Sequence, residues 1–230
     1  WRGRQGLWTE VLTMVQPASL TELRLLLAPA IADAVAFDGW SDVAVRDAAS
    51  AAGLDPAAAS FAFSGGSMQM IEAWVQAVDA AMQAALPADQ IAQLKIRERI
   101  RTLVQFRLDA IVHQKEALRR ALSIMALPQN APRTLALGWR SADAMWRLAG
   151  DTATDYNHYT KRMTLGSIYA ATLAVYVNDS SDDHADTKAF LDRRIEGIMK
   201  FEKAKAQLLR PREELFSPAR LLGRLRYPAR

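Results

Sequence analysis

Residues 39–67 read Gly-Trp-Ser-Asp-Val-Ala-Val-Arg-Asp-Ala-Ala-Ser-Ala-Ala-Gly-Leu-Asp-Pro-Ala-Ala-Ala-Ser-Phe-Ala-Phe-Ser-Gly-Gly-Ser. The punctuation of this stretch decides the fold. Ser41 is placed to cap a short helix over Asp42–Ala52, and Gly53 stops it. Asp55, followed by Pro56 at a first-turn position, opens a second short helix through about Phe63. Ser64-Gly-Gly-Ser67 is then a turn. Upstream, Ser19–Phe37 forms a longer helix with Leu20, Leu23, Leu27, Ile31, Ala34 and Phe37 on one stripe; Gly39 ends it and Trp40 packs at the corner. Downstream, Met68–Leu86 is a fourth helix carrying Trp74. A long helix, two short ones separated by turns and another long one constitute helix-turn-helix organisation.

The remaining chain repeats apolar residues at helical spacing, with breaks at 127–130, 150–152 and 178–182. Helices are predicted at about 88–111, 115–126, 132–149, 155–177 and 183–209, closed by Pro211. Alanine is the commonest residue, 42 of 230, and no alternating strand pattern or internal repeat stands out. The predicted fold class is all-α. Residues 1–16 read as a disordered or expression-derived leader and are set aside, 17–86 as a helix-turn-helix-like part, 87–209 as a second helical part sharing its core, and 210–230 as a basic tail.

Composition narrows the function. With no cysteine there is no disulfide, thiolate metal site or cysteine nucleophile. A chain that is 50% hydrophobic and 23% charged is too apolar to be disordered. Its longest uncharged runs, 56–71 and 163–178, have 16 residues each, short of the roughly 18–20 that a span requires. A soluble chain without an integral-membrane segment is expected. The net charge of +4 equals the net charge of residues 210–230, which hold six Arg and two Glu, so the body is close to neutral. Within Ser41–Phe63 only Arg46 is basic, against Asp42, Asp47 and Asp55, and the second short helix offers no long polar donor. That composition disfavours contact with phosphates and base edges. The three histidines form no Glu-x-x-His pair, and no nucleophile elbow, phosphate loop or dinucleotide fingerprint occurs, so neither a metal, a cofactor nor an enzyme is expected. Asp182, Asp183, His184 and Asp186 sit at a helix start, where acidic groups complement the free N–H groups.

Two segments stay ambiguous on their residues alone. Met163–Val177 carries no charge and is apolar around most of its circumference, which predicts a central helix covered by others. Its small residues Gly166, Ser167, Ala170 and Ala171 permit either close packing or an apolar cavity. In the tail, Leu221, Leu222 and Leu225 lie near one face beside Arg220 and Arg224. Such a segment can rest in an anionic membrane interface or be a solvated terminus.

A set of uncommon residues in order adds a resemblance. Residues 121–132 (Ala-Leu-Ser-Ile-Met-Ala-Leu-Pro-Gln-Asn-Ala-Pro), Asp143-Ala-Met-Trp146, Ala149-Gly-Asp151, Thr154-Asp-Tyr-Asn157, Tyr159-Thr-Lys-Arg162 and Asn178-Asp-Ser-Ser-Asp182 closely resemble the Coq-nine family of ubiquinone-biosynthesis accessory proteins. The match is looser through Ala32-Asp33, Gly39-Trp40, Gly53-Leu54 and the Ser-Gly-Gly turn. The resemblance implies a TetR-like fold that has lost DNA binding, a homodimer formed by the C-terminal helices, an apolar cavity for isoprenoid quinone intermediates or phospholipid, and a membrane-touching terminal helix. It implies help to the di-iron demethoxyubiquinone hydroxylase, with the partner-contacting patch falling on Asp143, Met145, Asp155, His158 and Tyr159. His158 stands where the family has Trp, and Lys161 where it has Arg.

The resulting expectation is a non-enzymatic lipid-binding accessory factor, peripheral on the cytoplasmic face of a bacterial inner membrane or on the matrix side of an organellar one. It would hand a quinone intermediate to the hydroxylase. The candidate cavity residues are Met125, Trp139, Leu165, Ile168, Tyr169 and Thr172, and the membrane contacts are Arg220, Leu221, Leu222, Arg224 and Leu225. The alternative is a TetR-type ligand-responsive transcriptional regulator, which requires DNA binding.

Overall fold

A computed structural model describes residues 17, 19–152 and 156–208, and every regular element among them is helical. The helices are α1 (Leu20–Asp38), α2 (Asp42–Ala51), α3 (Pro56–Ala62), α4 (Ser67–Ala85), α5 (Ala88–Ala92), α6 (Ile96–Ala110), α7 (Lys115–Met125), α8 (Ala131–Leu148), α9 (Tyr156–Tyr176) and α10 (Ala185–Leu208). Short 3-10 turns precede α8 and α10. The described residues up to Leu191 form one compact unit, and a second begins at Asp192. The described part of the second unit continues α10, with Glu196 and Lys200 paired at i, i+4.

Local chemistry sets the first turns as the sequence predicts. The Ser41 hydroxyl accepts from the Ala44 N–H, and the Asp55 carboxylate accepts from both the Ala57 and Ala58 N–H groups. Gly39 and Gly53 take φ of +67° and +68°, the left-handed conformation glycine adopts without a Cβ clash. The buried stripe of α1 is Leu23, Leu27, Ala28, Ile31, Ala32 and Val35. Phe37, expected on that stripe, is 90% exposed, and Leu20 is also exposed. Pairing 28 with 31, 32 and 35 turns the burial face away from both ends of the expected row.

One core serves the helices on both sides of Leu86-Pro87. Trp40 and Trp74 pack with ring centroids 5.5 Å apart. The Trp40 indole N–H donates to the Ala117 carbonyl at 3.3 Å, and that of Trp74 donates to Gln114 Oε1 at 2.7 Å. Gln114 in turn donates to Asp33 Oδ1 at 2.7 Å, which ties α1, α4 and α7 together. The single helix expected over 88–111 is broken into α5 and α6. Arg99 explains the break: its guanidinium donates to the carbonyls of Ala92, Leu94 and Ala149. Glu98 accepts from the Lys95 N–H and caps the restart.

The α9–α10 joint is organised by Asp179. One carboxylate oxygen accepts from the Ser181 N–H and hydroxyl, the other from the Thr187 N–H and hydroxyl. The cap of α10 is therefore Asp179 together with Ser181, whose hydroxyl accepts from the Asp186 N–H, and the acidic run 182–186 adds charge near the same end. Burial pushes the Asp179 carboxyl up, but the hydrogen bonds from Ser181 and Thr187 outweigh it and hold the group well below the usual carboxylate range. A depressed carboxylate pKa contributes stability above the unfolded-state value, and that contribution disappears as pH falls toward the folded-state value. Asp179→Asn is expected to cost about 1–2 kcal/mol at pH 7. In urea titrations across pH 2–7, the variant should lose less stability on acidification below pH 4 than the parent.

Candidate functional site

The site is built on α8 and α9. A Cβ placed on Gly166 would lie 3.8 Å from the Gly138 carbonyl oxygen and 3.9 Å from the Ala142 Cβ. At this level the small residues serve close helix packing. The inward face of α9 carries Leu165, Ile168, Tyr169 and Thr172, all buried. The Thr172 hydroxyl donates to the Ile168 carbonyl of its own helix at 2.8 Å. The outward face differs from expectation: Tyr159, Met163, Ser167, Ala170 and Ala174 are exposed, so α9 is not covered on all sides. A charge-free helix need not be central when the residues on one face are small or amphipathic.

At the amino end of α9, this outward face meets α8 in a ledge of aromatic and apolar side chains. The Trp139 ring lies 6.1 Å from His158 and 5.9 Å from Tyr159, and the His158 and Tyr159 rings meet edge-on at 5.2 Å. Tyr159 is 59% exposed, Met163 67% and Leu135 74%, while Trp139 and His158 are half-buried. Trp139, assigned by sequence to a cavity, thus joins His158 and Tyr159, assigned to a partner. Met125 is half-buried at the end of α7, where its carbonyl accepts from the Thr134 hydroxyl at 3.0 Å. Met145 is fully buried on the inward face of α8, so its side chain offers no outward contact. Asp155 and the tail residues Arg220, Leu221, Leu222, Arg224 and Leu225 lie outside the described residues.

Two ion networks escaped the sequence reading. Arg162, 2% exposed, donates through Nε to Asp143 Oδ1 at 2.6 Å and through Nη1 to Asp151 Oδ2 at 3.0 Å. Arg162 Nη1 also reaches the His158 carbonyl at 3.1 Å. Lys161 pairs with Asp151 at 2.6 Å and lies over the Trp146 ring, whose N–H donates to the Lys161 carbonyl. Deeper in the bundle, Arg107 is 1% exposed, pairs with Asp79, donates to the Ser141 hydroxyl at 3.2 Å and stacks 4.8 Å from the Tyr169 ring centroid. Its Nε–H has no partner. Burial pushes the Asp79 carboxyl up from its ordinary range against the pull of Arg107. A signal was available: Arg107 falls in register with Ile100, Leu103, Val104 and Leu108 on the buried stripe of α6.

Arg46 pairs with Asp42 at 3.2 Å, and α3 exposes Ala57, Ala58 and Phe61. A groove of about 430 Å³ opens nearby, lined by Pro17, Ser19, Leu20, Leu23, Gly53, Leu54, Asp55 and Ala58.

This helix order is that of the TetR class of regulator folds. The crystal structure of the TetR transcriptional regulator from Nitrosomonas europaea ATCC 19718 superposes with a TM-score of 0.60 over 76% of this chain and 96% of that one. At 20% identity the likeness is one of fold. The COQ9 family model matches residues 131–202, which hold the ledge and the Arg162 network. The "Ubiquinone biosynthesis protein COQ9, mitochondrial" of Rattus norvegicus is 40% identical over 168 residues, 70% of this chain and 54% of that protein. The human protein of the same name is 35% identical over 185 residues, 77% of this chain and 58% of its own length. Residues 131–202 thus match the COQ9 family, and the chain is similar to these COQ9 proteins across the region they share. It spans a little over half the length of those relatives.

Breaking the buried pair by Asp79→Ala is expected to cost about 3–5 kcal/mol in denaturant titration, because it strands the Arg107 charge. Replacing both ends with apolar residues, as in Asp79→Leu with Arg107→Met, should recover most of that loss. Gly138→Ala, where an added Cβ would meet nothing within 4 Å, should raise stability by about 0.5–1 kcal/mol in the same assay.

Proposed function

We propose that this chain acts in ubiquinone biosynthesis as a non-catalytic, lipid-binding accessory factor that offers an isoprenoid quinone intermediate to the demethoxyubiquinone hydroxylase. The observation that carries the reading is the coincidence of the COQ9 match over 131–202 with an exposed aromatic ledge on α8 and α9. Apolar surface left in water is costly at about 25 cal/mol per Å², and a contiguous patch of it on a folded surface favours a partner. Trp and Tyr are the side chains that most often anchor such contacts. On this reading Trp139, His158 and Tyr159 meet the hydroxylase, and Met145 stays buried on the inward face of α8.

The lipid is assigned to the inward side of α9, against Leu165, Ile168, Tyr169 and Thr172, with Met125 at the edge. A polyisoprenoid chain leaves a bilayer only for surroundings of similar polarity, since each buried CH2 contributes about 0.8 kcal/mol. These side chains bring no charge of their own, and Arg107, which stacks on the Tyr169 ring, is paired with Asp79. The outward face of α9 beyond the ledge, with Ser167, Ala170 and Ala174, suits a second copy packed through small residues in a homodimer. Among the described residues no helix is long and apolar enough to cross a membrane. The proposed association is therefore peripheral, aided by the basic tail, with each basic residue near an anionic surface adding about 1 kcal/mol.

Solvent extraction of purified protein followed by mass spectrometry should recover an isoprenoid quinone or phospholipid at close to one per chain. Repeated preparations without any lipid would overturn the cavity. Tyr159→Ala and Met163→Ala, both at exposed positions, should leave thermal unfolding and lipid content unchanged. Each should weaken binding of the purified hydroxylase by about tenfold, roughly 1.4 kcal/mol. Loss of lipid in place of loss of binding would mean that the ledge lines the interior.

A further inference from the structure

We infer that Asp143 is a positioning residue for the ledge, acting through Arg162, and is not itself a contact for the docked partner; the inference rests on the docking reading above. Each oxygen of its carboxylate is already engaged within the chain. Oδ1 accepts from the buried Arg162 at 2.6 Å, and Oδ2 pairs with the largely exposed Arg147 at 2.8 Å. Oδ1 is held by a guanidinium that is 2% exposed, so a partner cation could approach only Oδ2, where it would have to compete with Arg147 or share the oxygen with it.

Arg162 is where the geometry converges. It leaves α9 one turn after His158, and its guanidinium spans Asp143 on α8, Asp151 in the loop between the helices, and the His158 carbonyl. That carbonyl belongs to the first turns of α9, whose side chains His158 and Tyr159 form half of the ledge. Trp139, the other half, sits one turn before Asp143 on α8. The Asp143–Arg162 bond therefore joins the two helices directly beneath the rings, and Asp151 closes the connection through the loop. Charge-assisted hydrogen bonds of this length are strong and directional. With Arg162 2% exposed and the Asp151 side chain 4% exposed, water competes little for them. The ring separations of 5.9 Å and 6.1 Å are set by this clamp.

The test compares three substitutions in the full chain, reading binding of the purified hydroxylase and hydrogen exchange of the 158–163 amides in the isolated protein. Asp143→Ala should weaken binding tenfold or more and speed exchange of those amides by a similar factor. Asp143→Asn retains an oxygen for the Arg162 Nε–H and should restore both to within about threefold of the parent. Arg147→Ala frees Oδ2 without touching Arg162 and should change neither. A direct partner contact predicts a different pattern: Asp143→Asn as damaging as Asp143→Ala, exchange unchanged in both, and Arg147→Ala binding more tightly. That pattern would overturn the inference. Unchanged exchange in Asp143→Ala would overturn it even if the parent protein did not bind the hydroxylase. Absence of parent binding alone would count against the docking reading, with the exchange data still deciding the role of Asp143.

Discussion

A guanidinium that is almost wholly out of water governs how this bundle is put together. Desolvating an ion costs several kcal/mol even after relaxation, so Arg107 is tolerable only where its surroundings are fixed. Asp79 from α4, the Ser141 hydroxyl from α8 and the Tyr169 ring from α9 supply those surroundings around a residue of α6. Four helices consequently meet in one register. Hydrophobic packing alone permits neighbouring registers at small cost, whereas sliding α8 or α9 by a turn would remove a partner from a buried charge.

Register in the middle of the bundle determines what is displayed at its edge. Gly166 faces the Gly138 carbonyl and the Ala142 methyl where α9 packs on α8, and the Arg162 network holds their adjoining ends. With the backbones so fixed, Trp139 on one helix and His158 and Tyr159 on the other have little choice but to meet. The helix-turn-helix shows the complementary case. Its core residues Leu27, Ile31, Val45 and Ala49 are buried irrespective of surface charge, so the motif folds whatever its outward side chains carry. Fold and nucleic-acid chemistry are carried by different faces of the same helices.

What could be read from the residues divides along the same line. Caps act over three or four residues, and Ser41, Gly53 and the Asp55-Pro56 pair placed α2 and α3 almost to the residue. The break between α5 and α6 was invisible because Arg99 makes it by reaching the Ala149 carbonyl, 50 positions away. Phe37 was misplaced since helical spacing gives a stripe but not its width or angle. The same limit hid the uncovered face of α9: an absence of charge from 163 to 178 says nothing about which side has a neighbour. Asp143, Trp146, Lys161 and Arg162 were visible as a motif, yet only coordinates reveal that they bond to one another.

The departure at His158 can now be weighed against its surroundings. An imidazole in place of an indole removes apolar area from the ledge, and taken alone this would weaken an aromatic hot spot. The position is not alone, however. His158 packs edge-on against Tyr159 and lies within reach of Trp139, while Met163 and Leu135 extend the apolar surface on either side. On the docking reading, the surface offered is a ledge of several side chains and not a single tryptophan. A polar ring at its half-buried centre changes the chemistry of the proposed docking surface without abolishing its apolar flanks. On the docking reading, a hydroxylase matched to this chain buries aliphatic side chains against the exposed Tyr159 and Met163.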